Sequence, residues 1–112
     1  MTPEGKVKKK VKDLFTQYPH IFYDMPVPGG YGKSTLDFIC CINGLFFAVE
    51  TKAPNKEPTK RQEGLMNDIL AAGGAVFVVA GDDQYGFTQL KKFLDANSNG
   101  CTSIKVVPRN NE

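Results

Sequence analysis

With 112 residues and a mass of 12.3 kDa, the chain can bury a core but has no room for a second domain, so one unit over 1–112 is expected, loosely ordered at 1–3 and 108–112. Hydrophobic residues at 41% and charged residues at 23% exclude a wholly disordered chain, and one histidine with three cysteines argues against a zinc cluster or a disulfide framework. The net charge of +2 excludes little, but residues 1–61 hold ten Lys/Arg against six Asp/Glu and residues 62–112 hold four against six, which leans the first half toward a polyanion.

Thr2-Pro3-Glu4 reads as a helix start. Thr2 can cap, Pro3 suits the first turn, and Glu4 favours the positive end of the helix dipole. Val7, Val11, Leu14, Phe15 and Tyr18 recur at helical spacing and define a buried stripe that Pro19 brings to an end. Glu4 lies one turn before Val7 on that stripe, so its carboxylate faces the protein or simply serves the dipole. Lys6, Lys8, Lys9, Lys10 and Lys12 cover the other sides.

Residues 21–27 read as a first strand, placed at a sheet edge because Pro26 has no N–H for a ladder. Pro28-Gly29-Gly30-Tyr31-Gly32 is a loop whose glycines either admit a ligand close to the backbone or only turn the chain. Gly32-Lys33-Ser34 hints at a phosphate loop, but Val27 stands where its first glycine belongs and a strand follows instead of a helix, so that reading is rejected.

Two apolar strands then meet at Asn43-Gly44, the dipeptide best suited to a two-residue type I′ hairpin turn. With that turn, Ile42 faces Leu45, Asp37 faces Glu50, and Thr35 faces Lys52. Directly opposed residues share a face with Cβ atoms roughly 4.5–5.5 Å apart. Alternation adds Lys52 to the face of Glu50. Leu36, Phe38, Cys40 and Ile42 join Leu45, Phe47, Val49 and Thr51 on the other face. Both faces are apolar near the turn, so helices are expected on both sides of the sheet. Cys40 and Cys41 face opposite ways and read as reduced core residues. No apolar run approaches the ~18 residues of a membrane span, and a cytoplasmic protein, without membrane partners, is expected.

After the loop at 53–58, a helix runs from Thr59 to about Ala72, with Leu65, Met66, Ile69 and Leu70 on its apolar face. Thr59 and Gln62 fit a capping box, yet Gln62 also lies on the inward face near Lys52. Gly73-Gly74 ends the helix, and Ala75–Ala80 reads as a short, fully buried strand parallel to its predecessor. Asp82 and Asp83 read as exposed turn residues or, as the second reading, as ligands; residues 87–96 read as a last helix, and 103–107 as a possible edge strand.

Like charges opposed on a sheet are destabilising, so Asp37 against Glu50 needs an explanation. A divalent cation between them is one, because Mg²⁺ takes one or two carboxylates plus water and phosphate oxygens. Lys52 would then orient an attacking water or neutralise charge at phosphorus, and the Thr51 carbonyl is a further possible ligand. A structural set of ion pairs is the other reading.

Asp37, twelve residues, then Glu50-Thr51-Lys52, after a helix bearing Glu4 and before a helix bearing Gln62, resembles the PD-(D/E)xK nuclease superfamily. In detail the chain is similar to the VRR-NUC family in its small stand-alone phage and bacterial form. The likeness rests on TPEGKVKKKVK, on residues 29–62 and on LMNDILAAGGAVFVV, about four-fifths of the chain. Leu36 stands where the superfamily pattern has proline, and the Val-Arg-Arg run that names the family is absent, Val107-Pro108-Arg109 being a loose echo.

The resemblance implies an α/β fold with a restriction-endonuclease-like αβββαβ core: a mixed central sheet and helices on both faces. It further implies a Mg²⁺- or Mn²⁺-dependent, structure-specific DNA endonuclease, similar to Holliday-junction resolvases and working on branched DNA as a homodimer. By this likeness Asp37, Glu50 and the Thr51 carbonyl bind metal, Lys52 is the catalytic lysine, and Glu4 and Gln62 shape the site. Lys6, Lys9, Lys56, Lys60 and Arg61, with Gly30, Tyr31, Gly32, Lys33 and Ser34 of the loop, would contact backbone phosphates. The competing expectation is a non-catalytic nucleic-acid-binding module built on the basic first helix.

Overall fold

A computed structural model describes residues 1–27, 35–100 and 106–109. The order of elements is α1 (Pro3–Phe15), β1 (Ile21–Asp24), β2 (Phe38–Ile42), β3 (Leu45–Lys52), α2 (Lys60–Ala71), β4 (Ala75–Ala80) and α3 (Tyr85–Ala96). The four strands form one mixed sheet in the order β1-β2-β3-β4. The first three are antiparallel neighbours, while β3 and β4 run parallel across the α2 crossover.

The β2–β3 hairpin closes at Asn43 and Gly44, whose φ angles are 51° and 76°. Two consecutive positive φ values are what the primed turn requires. The expected register follows: Ile42 pairs with Leu45 and Phe38 with Val49, with no bulge between. At the turn end, Leu45 and Phe46 are exposed.

Strand alternation sends two apolar sets to opposite faces. On one face Phe38, Cys40, Ile42, Phe47, Val49 and Val79 meet Val7, Val11, Leu14 and Phe15 of α1 and Leu90 and Leu94 of α3. Phe15 anchors this layer, with Phe38 and Phe47 edge-on to it at ring-centroid distances of 5.5 and 6.2 Å. On the other face Ala48, Val76, Val78 and Ile39 pack beneath Met66, Leu65 and Ile69 of α2. Helices therefore cover both faces.

Several expectations are corrected. α1 ends at Phe15, and the chain reaches Tyr18 through i→i+3 hydrogen bonds, Gln17 N–H to Leu14 and Tyr18 N–H to Phe15, because Pro19 disfavours helical geometry before it. Tyr18 stays buried and donates to Asp95 of α3 at 2.5 Å. β1 stops at Asp24, two residues before Pro26. Leu36 packs with Ala48 and Met66 instead of the Phe38 face, since the chain has left the strand by that point. β4 is an edge strand among the described residues and only Val79 in it is fully buried, where burial throughout was expected. α3 starts at Tyr85, two residues early, because Asp83 Oδ1 accepts the Tyr85 N–H at 2.8 Å. Val106 and Val107 are exposed and outside any strand; the rest of that expected edge strand lies outside the described residues. Among the described residues no helix is long and apolar enough to cross a membrane.

Candidate active site

The β2–β3 ladder stops at Phe38–Val49, and side chains take over where it ends. Asp37 Oδ2 accepts both the Thr51 N–H at 2.8 Å and the Thr51 hydroxyl at 2.6 Å. In return, the Asp37 N–H donates to Glu50 Oε1 at 3.1 Å. The strands thus part while two carboxylates hold the gap. Since Thr51 directs its N–H toward the β2 side, its carbonyl points the same way, into that gap. Consistent with this alternation, the next carbonyl, of Lys52, turns to the β4 side and accepts the Gly81 N–H at 3.0 Å.

Glu50 is 2% exposed, yet its second oxygen is well served. Oε2 accepts Gln62 Nε2 at 2.6 Å and lies 3.3 Å from the Lys52 ammonium. Burial pushes the Glu50 carboxyl up to about 7, the charge of Asp37 pushes the same way, and Lys52 opposes both. Gln62 joins this site because the capping box places it there: its Oε1 accepts the Thr59 N–H at 3.0 Å while Thr59 Oγ1 accepts the Gln62 N–H at 3.2 Å. One amide serves both the cap and the carboxylate.

From the opposite side α1 contributes Glu4 and Lys8, one turn apart. The Lys8 ammonium lies 3.5 Å from Asp37 Oδ1 and 3.9 Å from Glu4 Oε2. Glu4, Lys8, Asp37, Glu50, Lys52 and Gln62 line one open cleft of about 490 Å³, with Met25, Pro26, Val27 and Thr35 on its walls.

Five of the expected residues, Glu4, Asp37, Glu50, Lys52 and Gln62, are therefore brought together, and Thr51 lies between the two acids. Asp37 does not sit over Glu50 as a simple face-sharing partner, however. Its carboxylate reaches to Thr51, whose side chain leaves β3 on the face opposite Glu50, so the acids approach the cleft from two sides of the parting strands. Among the described residues no three His, Cys, Asp or Glu side chains gather in a group fit for a metal. Every buried side-chain nitrogen and oxygen among the described residues has a partner.

Lys8 and the Thr51 hydroxyl escaped the sequence reading. The helical wheel put Lys8 on the solvated side, although its i,i+4 spacing from Glu4 was the available signal. Of the expected DNA contacts, Lys6, Lys9, Lys56, Lys60 and Arg61 are exposed. Lys9 pairs with Asp13 at 2.7 Å, Lys6 lines a separate cavity with Lys10 and Pro54, and Lys60 and Arg61 open α2 beside Gln62. Gly30, Tyr31, Gly32, Lys33 and Ser34 lie outside the described residues. Asp82 and Asp83 act as turn acceptors, for the Asn55 and Tyr85 N–H groups.

No family model matches the sequence, and comparison with curated proteins and with solved structures likewise finds no match.

Proposed function

We propose that the chain is a Mg²⁺- or Mn²⁺-dependent endodeoxyribonuclease with a restriction-endonuclease-like core, acting on branched DNA like a Holliday-junction resolvase and working as a homodimer. The observation that carries this reading is Glu50: a buried carboxylate with the Asp37 N–H on one oxygen and an ammonium and an amide on the other, at an open cleft that the Asp37 side chain also lines. A structural ion pair would need Lys52 and Glu50 only. Asp37 works against it, raising the Glu50 carboxyl further.

The donor set suits a hard divalent cation. Asp37, Glu50 and the Thr51 carbonyl would supply oxygen ligands where β2 and β3 part and leave places for water and phosphate oxygens, as Mg²⁺ prefers. Such an ion, when bound, would polarise a phosphodiester and acidify a water. The protein's own groups do the rest. Gln62 fixes the rotation of the Glu50 carboxylate, and Lys52 holds its ammonium beside the same oxygen, where it can orient a water or meet charge growing on phosphorus. Glu4 adds a carboxylate at the cleft mouth for water-mediated contacts. Lys6, Lys9, Lys56, Lys60 and Arg61, with residues 30–34, supply backbone-phosphate contacts that carry little sequence information.

The test is cleavage of four-way junctions, flaps and linear duplex by purified protein in Mg²⁺ or Mn²⁺, with products mapped to the nucleotide. Wild-type protein should nick the branched substrates, and Lys52→Ala should lose about 10²–10⁴-fold in rate while melting within a few degrees of wild type. Undiminished cutting by Lys52→Ala removes Lys52 from the mechanism. Salt-sensitive binding without any cutting by wild-type protein replaces the enzyme with the binding module.

A further inference from the structure

Five lysines decorate α1, and four of them, Lys6, Lys9, Lys10 and Lys12, are exposed. Lys9 is tied to Asp13, while Lys10 bonds Gln84 and lies 4.3 Å above the Phe87 ring. Lys8 alone turns into the cleft, where its ammonium lies between Asp37 and Glu4. Among the described residues the cleft is therefore lined by three carboxylates, Glu4, Asp37 and Glu50, and two ammonium groups, Lys8 and Lys52, a formal charge of −1 for these five groups when all are ionised. A phosphodiester is repelled by that charge. One divalent cation reverses it to +1, and without Lys8 the loaded cleft would only reach neutrality.

Resting on the nuclease reading above, we propose that Lys8 is a phosphate-binding residue of this cleft, opposite Lys52, and sets the sign of the charge that a DNA backbone meets there. In the metal-free protein its ammonium is the counter-ion of Asp37. With a dication bound at Asp37 and Glu50, the Lys8 ammonium, on a flexible four-carbon stem, would be released from that task to engage a phosphate oxygen. Glu4 keeps it near the cleft mouth, one turn away on the same helix.

The experiment measures binding of a four-way DNA junction over a range of salt, in Ca²⁺ and in chelator, for wild type, Lys8→Met, Lys8→Arg and, as a control away from the cleft, Lys92→Met. In Ca²⁺, Lys8→Met should bind roughly five- to tenfold more weakly at 0.1 M salt, with a log–log salt slope shallower by about 0.9, the share of one phosphate contact. Lys8→Arg should keep the wild-type slope, which separates phosphate binding from a fold defect in the methionine variant, and Lys92→Met should match wild type. In chelator the Lys8→Met difference should shrink, because Asp37 then holds the ammonium. A Lys8→Met slope equal to wild type, or a Lys8→Arg slope as shallow as Lys8→Met, overturns the proposal. If Lys8→Met shows the shallower slope but the wild type never cuts DNA, Lys8 stands and the nuclease reading falls. Absence of DNA binding by wild type overturns both.

Discussion

Gln62 accepts the Thr59 N–H with one end of its amide and donates to Glu50 with the other, so the cap of α2 and the buried carboxylate share a side chain. Both roles are readable in the sequence: the capping box from Thr59-to-Gln62 spacing, the inward aim from the positions of Leu65 and Met66. What pattern could not supply is where the β2 ladder stops. Opposition of Asp37 and Glu50 follows from the turn, but Asp37 lies just outside β2 and its carboxylate bonds Thr51, which the period of the strand does not announce. Glu50 itself carries a pH prediction. Its carboxyl rises from an ordinary 4.5 to about 7, so between those values the folded protein keeps a proton that the unfolded chain has released. Stability from this group is therefore greatest at low pH and falls as pH rises through that window; at about 1.4 kcal/mol per pH unit the fall is on the order of 3 kcal/mol. Urea unfolding in chelator at pH 5 and pH 8 should show that decline in wild type and a flatter profile in Glu50→Gln. Parallel profiles for the two proteins would contradict the burial account.

At the level of elements, the hairpin was the most legible part of the chain. Asn43-Gly44 requires positive φ twice, and that requirement alone determines the pairing from Ile42–Leu45 through Phe38–Val49. Helix ends were less legible, since Pro19 acts before its own position and Asp83 starts α3 early. The start of α3 also makes a demand that spacing does not announce. A Cβ on Gly86 would lie 1.8 Å from the Val78 carbonyl oxygen of β4, so α3 can lie this close to the sheet only with glycine there. Gly64 in α2 is the opposite case, with nothing within 4 Å of a Cβ. Gly86→Ala should therefore cost about 3 kcal/mol or more. Gly64→Ala should gain about 1 kcal/mol from helix propensity. Chemical denaturation of the two variants checks the pair, and similar effects from both would mean that α3 is free to shift away from β4.

For the molecule as a whole, alternating apolar strands, one tight hairpin and one helical crossover were enough to imply a mixed sheet covered on both faces. They did not reveal which strands lie outside. AVFVVA looks like an interior strand, yet among the described residues β4 lies at an edge of the sheet and keeps partial exposure along most of its length. The sheet places its chemistry at one end: β3 finishes with Glu50, Thr51 and Lys52, and the first turns of α1 and α2 bring Glu4 and Gln62 to the same cleft. Two helix N-termini thereby bring their positive dipole ends to a site of carboxylates and, in the proposed reaction, of phosphate. The proposed nuclease requires Asp37 and Glu50 to share a divalent cation, and calorimetric titration of the metal-free protein with Mn²⁺ tests this most directly. Saturable binding by wild type, weakened at least about tenfold by Asp37→Asn without loss of fold, is the predicted result. Neither Mn²⁺ nor Mg²⁺ binding with or without DNA, or equal affinity in Asp37→Asn, would contradict it.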